Sequence, residues 1–127
     1  MNPIDQTTFT PSTDAPPEER GNCLQAAVAS LLDLPLADVP HFAAEEDWFG
    51  CYGAFAASRG CFIVQTTIPV DGAYGIGFGK SPRGEYNHAV VSFGGEVAHD
   101  PHPSRDGLRT WEGYEYFVPL DPARVGL

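Results

Sequence analysis

NHAVVSFGGEVAHD, residues 87–100, consists of two strand-forming runs, Ala89–Phe93 and Glu96–Ala98, joined by Gly94-Gly95. That is the pattern of a β-hairpin. Its outer ends carry titratable side chains: His88 opens the first strand, and Asp100, just before Pro101, closes the second. Whether the two meet is a matter of parity, because side chains alternate between the faces of a strand. With a two-residue Gly94-Gly95 loop, paired residue numbers sum to 189, so Asp100 faces Ala89 and points away from His88. With a three-residue loop, Phe93 to Gly95, they sum to 188 and His88 lies directly opposite Asp100. Such a loop ends on a left-handed residue, which Gly95 can supply. The three-residue, bulged loop is therefore the expected turn.

Working outward, residues 61–67 (CFIVQTT) and 114–118 (YEYFV) are β-branched and aromatic and read as further strands. Upstream, CLQAAVASLL places Leu24, Ala27, Val28, Leu31 and Leu32 on one face of a helix that starts at Cys23, with Asn22 in position to cap it. This helix should stop near Asp33, ahead of Pro35, with a short turn at 36–39. A second helix is expected over Ala44–Ser58, acidic in its first turn. The glycine-rich stretch from Asp71 to Gly84 reads as a mobile loop or a poorly formed strand pair. Helices first and strands later imply an α+β fold, with N-terminal helices packed on a C-terminal antiparallel sheet. Residues 1–127 read as one domain, within which the polar, proline-rich residues 1–20 are expected to be an extended arm.

The bulk composition narrows the function. Net charge is −10, and the seven Lys and Arg residues are scattered, so no basic stripe exists to neutralise phosphates. Nucleic acid is excluded as a partner, and the acidity biases the protein toward neutral or cationic substrates. The N-terminus shows no signal-peptide pattern, and no run of apolar residues is long enough to span a bilayer, so no membrane partner is expected. Cys23, Cys51 and Cys61 are widely spaced and odd in number, which fits free thiols in a reducing, cytoplasmic setting. Nothing in the chain fixes an oligomeric state.

Cys23 carries the chemistry. A cysteine in the first turn of a helix sits among unpaired backbone N–H groups at the positive end of the dipole, which favours thiolate over thiol. The same donors suit a developing oxyanion. Alone, such a cysteine could equally be a small core residue. Joined to a histidine that opens one strand and an acid that closes the next, it completes a nucleophile, base and orienting group: Cys23, His88 and Asp100.

Other signals carry less. GIGFGKS imitates a phosphate-binding loop, but one residue is missing before Gly79-Lys80-Ser81, and Pro82 forbids the required helix. Cys51, Cys61, His99 and His102 lack the local spacing of a zinc site, and no cofactor is expected. Cys51 and Cys61 read as core residues. His41 and His102 read as surface residues, and Trp48, Phe49, Tyr52 and Phe55 as packing.

The chain resembles the papain-like cysteine peptidases, and within them the C39-like group. The resemblance rests on GNC at Cys23, NHAVV at His88 and HDP at Asp100. It is similar in particular to short bacterial and phage-associated proteins with GNC-type helices, through the segments SPRGEYNHAVV and HDPHPS, and the likeness spans Asp5-Gln6 to Asp121-Pro122. The resemblance implies a thiol protease or related hydrolase cleaving a peptide, isopeptide or side-chain amide of a peptide or protein substrate. In that reading Gln6, with the Cys23 N–H, forms the oxyanion hole. Asn22 stands where the group usually has Asp, and Leu24-Gln25 where it commonly has Gly-Pro. The alternative is a catalytically inactive papain-like binding protein.

Overall fold

The computed structural model describes residues 1–11, 15–121 and 123; residues 12–14 of the arm, and Pro122, where the resemblance ends, lie outside the described residues. Two helices, α1 (Cys23–Leu31) and α2 (Trp48–Ser58), precede five strands. The strands are β1 (Cys61–Thr66), β2 (Tyr74–Lys80), β3 (Asn87–Phe93), β4 (Glu96–His99) and β5 (Thr110–Pro119). They form one antiparallel sheet in the order β1-β5-β2-β3-β4, an α+β architecture. No helix among the described residues is long and apolar enough to cross a membrane.

The first helix ends as its sequence suggests. Asp33 adopts a left-handed φ of 55°, and the Leu34 N–H returns to the Ala29 carbonyl at 2.9 Å, closing the orphan carbonyls before Pro35. Its burial differs from a simple one-faced pattern: Ala26 to Ser30 are all buried in sequence. Small side chains allow this, because the sheet covers one side of α1 and the N-terminal arm covers another. Ser30 ties the helix to the arm, accepting the Ile4 N–H (2.8 Å) and donating to the Ala26 carbonyl (2.8 Å). The second helix starts later than expected, at Trp48, and its acids lie before the first turn; Asp47 is the cap and accepts from the Gly50 N–H at 3.1 Å.

The glycine-rich stretch is the main correction. Neither a loose loop nor a poorly formed strand pair, it supplies one strand, β2, hydrogen-bonded to β5 on one side and β3 on the other. Ile76 and Phe78 face the helices, so the Cβ positions of Gly75, Gly77 and Gly79 point to the opposite face. There a Cβ on Gly75 would strike the Tyr116 ring, one on Gly77 the Trp111 ring, and one on Gly79 the Thr110 carbonyl. Glycine is required at these places because aromatic rings of β5 cover Gly75 and Gly77, and the β5 backbone itself closes on Gly79. Trp111, Tyr114 and Tyr116 stack in a row with centroids 5.4 and 6.5 Å apart. On the helix side, Val28, Phe42, Tyr52, Ile76 and Val91 form the core.

The arm is pinned rather than freely extended. His99 on β4 bonds the Ile4 carbonyl (3.0 Å), Asp5 pairs with Arg105 (2.6 Å), and the Gln6 N–H donates to the Pro101 carbonyl (3.0 Å). After one short 3-10 turn at Pro17–Glu19 the chain returns beside its own start: Thr10 bridges Arg20, and the Gly21 N–H reaches the Thr10 carbonyl at 2.8 Å.

Gly53, exposed on α2, has nothing within 4 Å of a Cβ. Gly53→Ala should therefore stabilise the protein by up to about 1 kcal/mol. Gly79→Ala should destabilise it by about 2 kcal/mol or more, because backbone rather than a flexible side chain is in the way. Urea midpoints of the two variants check the contrast.

Candidate active site

Cys23 is the first residue of α1, and its N–H has no acceptor within its own helix. Asn22 before it does not cap that helix with its side chain. The amide instead holds the arm: Oδ1 accepts the N–H groups of Thr7 (2.8 Å) and Thr8 (3.0 Å), while Nδ2 donates to Thr7 Oγ1 (3.0 Å) and Gln25 Oε1 (3.1 Å). Gln25 in turn donates to the carbonyls of Leu36 and Val39. A buried amide with two donors and an acceptor suits this junction in a way Asp, with acceptors only, does not.

His88 and Asp100 meet, but by a different device from the expected loop. Phe93 pairs with Glu96 and Ser92 with Val97, a sum of 189, so the turn is the two-residue Gly94-Gly95. Both glycines have positive φ, 59° and 89°, the pattern of a type I′ turn. The register then shifts, and Val91 pairs with His99, a sum of 190. The extra residue is taken up as a β-bulge within β4, not in the turn. Carried on, this register sets Asp100 opposite Val90, on the same face as His88 and one diagonal step away. His88 Nε2 lies 2.7 Å from Asp100 Oδ1. Parity required one extra residue between the two side chains, and the bulge is where it resides.

Both groups are buried, His88 to 4% and Asp100 to 2% relative exposure. The carboxylate is held by more than the imidazole: the His102 N–H donates to Oδ1 (3.0 Å) and the Gly107 N–H to Oδ2 (2.8 Å). Burial alone would raise the Asp100 carboxyl, but these three donors outweigh it and leave the carboxyl below its ordinary range. With Nε2 engaged by Asp100, Nδ1 is the ring nitrogen left for Cys23, the other partner of the imidazole.

The electrostatics follow from these contacts. Burial disfavours the imidazolium, yet hydrogen bonds to Asp100 and Cys23 and their charges raise His88 to about 9. Burial likewise pushes the Cys23 thiol up. The His88 hydrogen bond and charge and the N–H groups of Ala89 and Leu24 more than reverse this, so the thiol lies below its ordinary value. Both shifts favour the charged form of their group, so the pair is biased toward thiolate and imidazolium. Cys51 moves the other way, raised by burial and by Glu45 and Asp47. Cys51 and Cys61 are half-buried rather than enclosed, with Cys51 packed against the core.

Cys23 and His88 open onto a cleft of about 910 Å³. Gln6 lines the same cleft, carried there by the returning arm, and is 7% exposed. One proton of its Nε2 goes to the Thr8 carbonyl at 2.9 Å, which leaves the second free to donate. His41 and His102, expected at the surface, line the cleft too, and the His102 ring lies 6.3 Å from that of His88. Trp48 and Phe49 stand half-exposed at its lip. No group of His, Cys, Asp and Glu suited to a metal occurs among the described residues.

Two features of the site are missed when the sequence is read alone. The backbone donors of His102 and Gly107 leave no trace in side-chain identity. Glu115 does leave one: it alternates with Tyr114 and Tyr116 and therefore points to the helix face of β5, where an acid is out of place. It is 4% exposed and lines the cleft.

Comparison of the chain with family models, with curated proteins and with solved structures gives no match.

Iodoacetamide at neutral pH should alkylate Cys23 about 10-fold or more faster than Cys51, read by peptide mass mapping. Because His88 is raised from 6.5 to about 9, its contribution to stability is complete below 6.5 and is lost as pH climbs through about 9. Asp100→Asn should bring that loss to lower pH and slow Cys23 alkylation at neutral pH by about 10-fold or more. Thermal melts across this range and alkylation rates measure both.

Proposed function

We propose that the protein is a cysteine hydrolase of the papain-like, C39-like kind that cleaves an amide bond in a peptide or protein. The observation that carries this reading is the buried 2.7 Å contact between His88 and Asp100, with Cys23 as the other partner of the imidazole at the mouth of a cleft.

In the first half-reaction the Cys23 thiolate adds to the substrate carbonyl carbon, and the electron pair moves onto oxygen. The Cys23 N–H and the free Gln6 Nε2 proton face that oxygen and stabilise its charge. His88 gives its proton to the amide nitrogen, the C–N bond breaks, the amine leaves and a thioester remains. In the second half-reaction neutral His88 takes a proton from water as the water adds to the thioester. Collapse expels the thiolate, releases the acid and restores the ion pair. Asp100 keeps the imidazole oriented and offsets its positive charge throughout without taking the proton.

Peptide, isopeptide and side-chain amide substrates all suit this sequence of steps. Activity-based profiling with electrophilic peptides should label wild-type protein and spare Cys23→Ala. With a substrate found this way, Cys23→Ala should abolish turnover, and Gln6→Ala should lower kcat about 100- to 1,000-fold with a smaller change in KM. Slow, equal labelling of all three cysteines would instead favour a binding protein that retains the frame without turnover.

A further inference from the structure

Glu115 has no part in the steps above. It projects from β5 toward the helices and lies on the cleft floor beside Gln65. Its carboxylate is not abandoned there: Tyr52 Oη donates to Oε1 at 3.1 Å and Gln65 Nε2 to Oε2 at 2.7 Å. Both donors are neutral, and burial lifts the carboxyl above its ordinary range in spite of them. Among the described residues no Lys, Arg or His forms an ion pair with it. Such a group is costly to bury, and each of its oxygens has further lone pairs open to a donor.

The geometry sets its distance from the chemistry. Along the helix face, Ala89 beside His88 pairs with Phe78, and Phe78 pairs with Gly113. Glu115 is two residues further along β5. Two strand spacings across and two residues along put the Glu115 Cα about 12 Å from that of Ala89, a gap that a long basic side chain and the Glu115 side chain span together. Gly113 makes room for the Phe78 ring, which lies over it: a Cβ there would collide with the ring.

We infer that Glu115 is the base of a subsite that receives a positively charged side chain, guanidinium or ammonium, of the substrate. The inference rests on the proposed hydrolase reading for the location of the scissile bond. The Phe78 ring provides the apolar wall along which an aliphatic stem can lie, as long basic side chains prefer. The Glu115 carboxylate supplies the charge-assisted acceptor at the end. Tyr52 and Gln65 hold that carboxylate at fixed orientation, so its position is set before a ligand arrives. The net charge of −10 adds a long-range attraction of the same sign.

The test uses the full chain and acyloxymethyl ketone tripeptides that differ only in having arginine or its neutral isostere citrulline at one of the three positions. At one position the arginine probe should modify Cys23 about 10-fold or more faster than its citrulline partner. Glu115→Gln should bring that ratio close to one, with circular dichroism reporting whether the variant is folded. A wild-type ratio near one at every position overturns the inference without need of any variant, as does a folded Glu115→Gln protein that keeps the preference. Iodoacetamide on the wild type separates the two ideas. Fast, selective Cys23 alkylation with no charge preference leaves the hydrolase reading standing and removes the subsite. If Cys23 proves unreactive, calorimetry decides the subsite alone: binding of acetyl-arginine amide over acetyl-citrulline amide supports it, and equal affinity overturns it.

Discussion

A carboxylate and an imidazole, both nearly sealed from water, must find each other across two strands, and much of the molecule is arranged so that they do. An isolated buried charge costs several kcal/mol, which pairing and hydrogen bonding must offset. Asp100 meets that requirement with His88 on one oxygen and the backbone of residues 102 and 107 around it. The loop after β4 is thereby shaped around the carboxylate. The same loop then anchors the arm through Pro101 and Arg105, and the arm delivers Gln6. Orientation of the imidazole and assembly of the cleft wall are thus linked through one carboxylate.

The arm shows how a long sequence separation becomes a short spatial one. Gln6 and Cys23 are seventeen positions apart. The chain spends the difference on an excursion that leaves at Thr10 and returns at Arg20, closed by backbone hydrogen bonds at its neck. Loop closure of this kind costs little extra entropy as length grows. Asn22 makes the closure specific, since its amide reads two consecutive N–H groups of the arm while remaining next to Cys23.

The helices, four of the five strands and the position of Cys23 at a helix start were legible because each rests on a local rule: apolar spacing, β-branched runs, or a break before a helical run. The hairpin was half legible. Parity demanded an additional residue between His88 and Asp100, but a bulge inside β4 and a bulge in the turn satisfy parity equally, and no local preference at Ala98 separates them. The strand Tyr74–Lys80 was not legible, because glycine normally signals a break. Its glycines are explained only by Thr110, Trp111 and Tyr116, more than thirty residues further on. Tertiary approach overrode propensity there. The donors around Asp100 were hidden for a different reason, being backbone groups whose placement no side chain announces.

The two indoles of the chain sit on opposite sides of the sheet. Trp48 is at the lip of the cleft, and Trp111 lies over the glycine strand on the far face, stacked on Tyr114. Their emission therefore originates in separate environments, one wetted by whatever enters the cleft and the other governed by strand packing. With Phe in place of either indole, the remaining fluorophore becomes a built-in gauge, of occupancy in one case and of intactness in the other.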